Sequence, residues 1–336
     1  MNKKLLAIAI GAVVAMPVAA LADVTVYGRA HVSIDMLDDG ADYNELNMSS
    51  NSSRLGFKAE KEAGDMTGFV QIEQQVDFDQ GGAFTSARDT FVGLKGGFGM
   101  VRFGQFDTPF KAARGPANLF GDQVGDMRNL TRVGNGRFDE RSQNTIHFQT
   151  SDMEGLRFNL AYTLGEGGPK VADAKDEGVS ASVTYKQDAL DVALAFEQWS
   201  EDHSRGDRDG IRLAAGYGLT DDLKLVGFFQ TIDHIDDTLD ADVLGLGAEY
   251  KLSGKTAVKG MFMTRSADPD DADSSLLALG VEHRLDRSVR VYANYAMVMN
   301  DDNAALTPWG QARTAVPAGA AGEDASGLSL GLRVDF

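Results

Sequence analysis

The last eleven residues, Ser326 to Phe336, alternate without a fault between two chemistries. Leu328, Leu330, Leu332, Val334 and Phe336 fall on one face of an extended strand, and Ser329, Gly331, Arg333 and Asp335 fall on the other. A period of two marks a strand with one apolar and one polar face. A soluble sandwich shows the same period, but a segment of about ten residues ending in an aromatic also suits a tilted crossing of a bilayer. A sheet that crosses lipid must close on itself, because no row of unpaired N–H and C=O groups can face hydrocarbon. The terminal strand therefore needs a partner, and the first strand of the same chain is the candidate.

That first strand reads in the same way. Val24, Val26, Gly28, Ala30, Val32, Ile34 and Met36 interleave with Thr25, Tyr27, Arg29, His31, Ser33 and Asp35, until the acidic stretch from Asp38 breaks the pattern. Leu55, Phe57 and Ala59 then oppose Arg54, Lys58 and Glu60, and Val70, Ile72, Val76 and Phe78 oppose Gln71, Glu73, Gln75 and Asp77. Tyr162, Tyr185, Tyr250, Tyr295 and Phe336 sit towards strand ends, where aromatic girdles meet lipid headgroups. Gln74, Gly28 and Ala30 interrupt the oily face. Either these positions are tolerated in lipid, or this part of the wall packs against another subunit, where small residues allow close approach.

Connections fall into two alternating classes. Tight ones, such as Ala63–Met66, Gln187-Asp188 and Ser253-Gly254, alternate with longer acidic ones, such as Asp38–Asn51, Asp107–Gln143, Ser266–Asp273 and Asn300–Ala325. About seven tight and eight long joints give about 16 strands, an even number as a single-chain outer-membrane barrel requires. The face opposite the oily one carries many Arg, Glu and Asp residues. An ionised group in a dry interior costs several kcal/mol unless paired, so the inward face is expected to line water.

The remaining features set limits. Lys3 and Lys4, the apolar run Leu5–Met16 and the Ala20-Leu21-Ala22 site predict a secretory signal peptide over residues 1–22, with residues 23–336 forming one transmembrane barrel domain. Beyond that run no stretch of about 18 apolar residues offers a membrane helix. The chain has no cysteine, which excludes disulfides and thiolate metal sites, and its net charge of -18 argues against nucleic acid as a partner. His31, His147, His203, His234 and His283 lack ligand spacing, so no metal or cofactor is expected. The acidic run Asp268–Asp273 lacks the calcium-loop spacing and glycine and reads as a solvated loop. Gly327-Leu328-Ser329-Leu330-Gly331 has the spacing of a nucleophile elbow, but no helix can follow and no histidine lies downstream; no catalytic residue is expected.

Several ordered segments together carry a family resemblance: Val24-Thr25-Val26-Tyr27-Gly28-Arg29, Ser53-Arg54-Leu55-Gly56-Phe57-Lys58, Ala87-Arg88-Asp89-Thr90-Phe91-Val92-Gly93, Phe103-Gly104-Gln105-Phe106-Asp107-Thr108-Pro109, Arg141-Ser142-Gln143-Asn144-Thr145-Ile146 and the terminal Phe336. In these the chain resembles a general diffusion porin of the Gram-negative outer membrane, of the neisserial and related proteobacterial type. The resemblance implies an all-β, 16-stranded antiparallel transmembrane β-barrel with a long third loop folded into the lumen. It implies a homotrimer embedded in outer-membrane lipid and lipopolysaccharide, each subunit passing small hydrophilic solutes and ions.

The segment Asp107–Gln143 is the longest connection, and Phe110, Leu119, Phe120, Val124, Met127 and Leu130 make it too apolar to stay solvated. It resembles the loop that narrows such barrels; the other reading is a lid over the mouth. The resemblance places a ladder of arginines on the wall at Arg54, Arg88 and Arg141, with Arg102, Lys111 and Arg137 as further basic candidates and Asp122 and Asp126 as acidic partners on the loop. Opposed charges in a low-dielectric constriction would make a transverse field that orients polar solutes. The plain alternative is that these arginines brace the wall through Glu60, Glu73 or Asp89. Asn118 stands where enteric relatives carry a carboxylate, so the field is expected to be weaker or displaced, and the sign of selectivity stays open.

Overall fold

The computed structural model describes residues 23–165, 176–200 and 203–336. The expected signal peptide lies outside the described residues, as do residues 166–175 and 201–202 of two long connections. Among the described residues eighteen strand segments form one antiparallel sheet. In chain order they are β1 Asp23–Asp38, β2 Asn44–Ser50, β3 Arg54–Ala63, β4 Met66–Asp77, β5 Ala83–Ala87, β6 Thr90–Gly96, β7 Gly99–Asp107, β8 Arg141–Thr150, β9 Leu156–Thr163, β10 Gly178–Gln187, β11 Leu190–Trp199, β12 Arg208–Gly218, β13 Leu223–His234, β14 Ala241–Lys251, β15 Thr256–Ala267, β16 Ser274–Arg284, β17 Val289–Asn300 and β18 Ala325–Asp335.

The ring closes where β1 meets β18, in register from Arg29↔Asp335 to Asp38↔Ser326. At the end of this seam Gly28 and Phe336 exchange both backbone hydrogen bonds, at 2.7 and 3.0 Å. A Cβ on Gly28 would lie 2.4 Å from the Phe336 ring, so the terminal aromatic itself requires glycine there. The small outward residue thus has a reason within the chain.

Both β2 and β3 pair with β1, and both β5 and β6 pair with β4. Each couple is one wall strand with a break in it, so the eighteen segments make a closed barrel of sixteen strands. The first break is healed by a side chain: the Ser53 hydroxyl accepts from the His31 N–H and donates to the His31 carbonyl, both at 2.9 Å. The second falls at Arg88-Asp89, just after a register shift in the β4–β5 pairing between Gln74 and Val76. A third irregularity lies between Gly104 and Phe106 of β7, opposite the start of β8. Bulges re-aim side chains, and these three sit beside Arg54, Arg88 and Arg141.

Alternation decides which face is which. Leu328, Leu330 and Leu332 stand exposed on one side of β18, while Ser329 is fully buried on the other. The expected loop Asp38–Asn51 is corrected here. Asp39 closes a short turn by accepting the N–H groups of Ala41 and Tyr43, and the strand resumes at Asn44 with Leu46 and Met48 outward.

A second difference concerns the inward face. On β13 to β17 it carries Val226, Phe228, Val243, Met261, Met263, Leu276 and Val298, all buried in one apolar cluster with Phe120, Val124, Met127, Leu130 and Trp309 from two long connections. Water was expected along this whole face. Apolar side chains of the connections cover this part of it instead, because burial of apolar surface favours that contact over hydration.

Candidate functional site

Residues 108–140 join β7 to β8. Thr108 caps a first helical turn, α1 (Pro109–Ala112): its hydroxyl accepts the Lys111 N–H at 3.2 Å, and Pro109 occupies the position where a missing N–H is harmless. A 3₁₀ turn follows at Gly115–Ala117, and a second short helix, α2, at Arg128–Thr131. Between them Asp122 adopts φ +62°, held by its N–H donating to Asp126 at 2.7 Å. The Asp126 carboxylate also accepts the Arg128 N–H at 2.9 Å and pairs with the Arg128 guanidinium at 2.5 Å. Asp126 is thus the internal brace of the segment.

Side chains from the non-lipid face of the wall fasten this segment at many points. Arg212 donates to the Phe110 carbonyl at 2.9 Å, Lys224 to Pro116 at 2.9 Å, Gln230 to Thr131 at 2.9 Å, and Lys259 to Leu119 at 2.8 Å. Lys259 and Asn294 converge on the Gln123 side-chain oxygen at 2.9 and 2.7 Å. Arg212 and Asp139, both fully buried, form an ion pair at 2.5 Å. Hydrogen bonds from charged donors contribute about 1.5–3 kcal/mol each. The approach is close at Gly125, where φ is +90° and a Cβ would lie 2.7 Å from the Ala278 methyl.

A cavity of about 500 Å³ lies between the segment and the irregular part of the wall. Arg54, Arg88, Arg141, Lys111 and Asp122, all expected from the sequence, line it together with Asp107, Arg114, Arg128, Arg132, Asp139, Glu140 and Gln311. Arg88 meets Glu73 at 2.6 Å and Arg54 approaches the same carboxylate at 3.6 Å. A carboxylate shared by two guanidinium groups neutralises only one of them. Arg141 pairs with Asp89 at 2.5 Å and with Asp107 at 2.8 Å, and Lys111 also reaches Asp107, at 3.0 Å. Among the described residues the lining carries seven basic groups and four acidic ones.

Three expected residues are placed elsewhere. Arg102 lies over the Phe106 ring at 4.0 Å and donates to His147. Asp126 is buried inside the segment, and Arg137 sits near Glu140 at 3.6 Å without lining the cavity. Glu60, one of the possible braces, pairs with Lys95. Asn118 packs against Gly121. The segment presents both signs of charge to the cavity, because Lys111, Arg114, Arg128 and Arg132 belong to it as much as Asp122 does.

Environment tunes these groups. Burial pushes the Lys111 ammonium down to about 8, against the pull of Asp107. Burial opposes ionisation of Asp122, but Arg128, with Arg54 and Arg29 further off, holds its carboxyl well below the usual range. Asp139 is likewise kept low by Arg212 and Arg114 despite full burial.

Sequence reasoning missed Arg114, Arg128, Arg132, Glu140 and Gln311 in the lining, and the wall fasteners Arg212, Gln230, Lys259 and Asn294. A signal for the fasteners exists: single polar residues inside nearly continuous apolar runs, as in Val258-Lys259-Gly260-Met261-Phe262-Met263. Such runs mark strands covered on both faces.

Known proteins agree with this architecture. The chain is 26% identical over 195 residues to the major outer membrane protein P.IB of Neisseria meningitidis serogroup B, a match covering 55% of this chain and 56% of that protein. The matched stretch thus spans little more than half of the relative's length. In fold it is similar to an anion-selective porin from Comamonas acidovorans, with a TM-score of 0.80 at 22% identity over 94% of this chain and all of that one. It is also similar to the trimer form of OmpT, an outer membrane protein of Vibrio cholerae, with a TM-score of 0.68 at 17% identity over 94% of this chain and all of that one. The family model described as Gram-negative porin matches residues 7–303. A closed antiparallel barrel with an apolar outer face and this match together place the protein in the outer membrane: the chain belongs to the Gram-negative porin family, whose members are channels and not enzymes.

Proposed function

We propose that the protein forms a water-filled channel for passive diffusion of small hydrophilic solutes and ions, narrowed by residues 108–140 folded into the lumen. The observation that carries this reading is the charged cavity between that segment and the three irregular places in the wall. A space ringed by Arg54, Arg88, Arg141, Lys111, Arg114, Arg128 and Arg132, with fewer carboxylates, favours weakly held anions over cations. The acidic outer connections, such as Asp268–Asp273, act against this at the mouth, but salt screens them over about 10 Å at 0.1 M. The subunit works as a homotrimer in outer-membrane lipid and lipopolysaccharide, after removal of residues 1–22. The test is conductance of the purified protein in a planar bilayer under a salt gradient. Stable steps with a reversal potential on the anion side are expected; no conductance, or cation preference, would overturn the reading.

A further inference from the structure

The connection from β17 to β18, residues 301–324, reads as an exposed outer loop. Its middle is nonetheless buried. Trp309 is fully enclosed in the apolar cluster that holds Phe120 and Val124, and its ring N–H donates to the Pro317 carbonyl at 2.8 Å. The Arg313 guanidinium pairs with Asp35 of β1, both side chains completely buried. Two contacts tie this stretch to the neighbouring segment: Gly125 donates to the Pro308 carbonyl at 2.7 Å, and Arg132 donates to the Gln311 side-chain oxygen at 3.1 Å while Gln311 returns a bond to the Arg132 carbonyl at 3.4 Å. Gln311 and Ala312 then line the charged cavity.

We propose that residues 308–313 form a second side of the conducting path, in which Gln311 is the positioning residue that holds Arg132 towards the cavity and the Arg313–Asp35 pair fixes how far the connection enters. This rests on the channel reading above. The pair acts as a locator and not as a source of stability, since a buried ion pair contributes little net free energy relative to apolar packing. Arg313 reaches Asp35 only if the connection between β17 and β18 passes inward over β1. The Gln311 side chain accepts from one guanidinium N–H of Arg132 and donates to its backbone carbonyl, while Glu140 stands 3.7 Å from the same guanidinium; an apolar residue at 311 cannot replace the Gln311 bonds.

The chain contains no cysteine, so one introduced thiol can be labelled cleanly. Gln311→Cys, in the full protein reconstituted in a planar bilayer, is treated with an anionic methanethiosulfonate, and labelling is verified by mass. The expected result is a fall in single-channel conductance of about half or more, with the reversal potential moved towards cations. Ala312→Cys is the second variant should the first not fold. Complete labelling with unchanged current places the connection outside the path and overturns the proposal, as does failure of the reagent to reach either thiol in a conducting channel. Gln311→Ala is expected to shift the reversal potential without lowering the heat resistance of the folded barrel; a loss of stability with selectivity unchanged would make Gln311 a structural contact only. A wild-type protein that does not conduct refutes the channel reading, whereas a conducting wild type with a silent label refutes this proposal alone.

Discussion

Replacing Lys259 by methionine tests whether the segment 108–140 is held to the wall by the bonds described. Methionine keeps the length and the packing of the aliphatic stem but supplies no donor. The Lys259 ammonium makes two charge-assisted bonds, to Leu119 and Gln123, and lies 4.5 Å from the centre of the Phe120 ring. Two such bonds amount to about 3–6 kcal/mol. Gln123 retains Asn294, so the lower value, about 3 kcal/mol, is the better expectation. At about 1.4 kcal/mol per factor of ten, the fraction of time spent with this part of the segment detached rises roughly a hundredfold. Single-channel recordings should show frequent excursions to a second conductance level, and vesicle-swelling assays should admit larger sugars. The barrel's thermal transition should move little, because the strand ladders are untouched. A variant with quiet channels and an unchanged size limit would refute the idea that these bonds seat the segment.

Other perturbations probe separate parts of the argument. Arg54→Gln combined with Arg88→Gln leaves Glu73 without its guanidinium partners, so the reversal potential should move towards cations; no movement would make both arginines wall braces. Between about pH 6 and about pH 10 anion preference should fall with a midpoint near the Lys111 value of about 8, because the ammonium loses its charge as pH rises through it. Lys111→Arg should abolish that step, since a guanidinium stays charged, and a persisting step would assign it elsewhere. Gly125→Ala should loosen the segment by about 1–2 kcal/mol from backbone strain alone, with a further loss from the Ala278 contact. Adding Ala278→Gly should recover part of this, measured as hydrogen-exchange protection of residues 120–130; strict additivity of the two changes would argue against direct contact.

Closure and strand number were legible because both follow from period and from turn chemistry. Leu328 to Phe336 and Val24 to Met36 alternate cleanly, and no interior element competes with them. Arg54, Arg88 and Arg141 were found through the resemblance, yet the three irregularities that gather them are invisible in a hydropathy pattern. Ser53 heals its break with a hydroxyl that looks like any other strand serine. The covered inward face was missed for a physical reason. Val226, Phe228, Met261 and Met263 are apolar because another part of the chain lies on them, and alternation analysis assigns only one apolar face to each strand. Trp309 and Arg313 were hidden in the same way, inside a stretch whose acidic flanks read as solvent-exposed.

The basic groups of the interior divide into two populations. Arg212 and Lys259 are buried, with their donors committed to the Phe110 and Leu119 carbonyls, the Gln230 and Gln123 side-chain oxygens and the Asp139 carboxylate, and mobile ions have little access to them. Arg54 and Arg132, with about a fifth and a quarter of their side-chain surface exposed, face the cavity and are open to counterions. Concentrated electrolyte should therefore weaken discrimination between permeating ions while leaving the bore unchanged. A pore of this kind keeps its shape in brine after it has lost its preference.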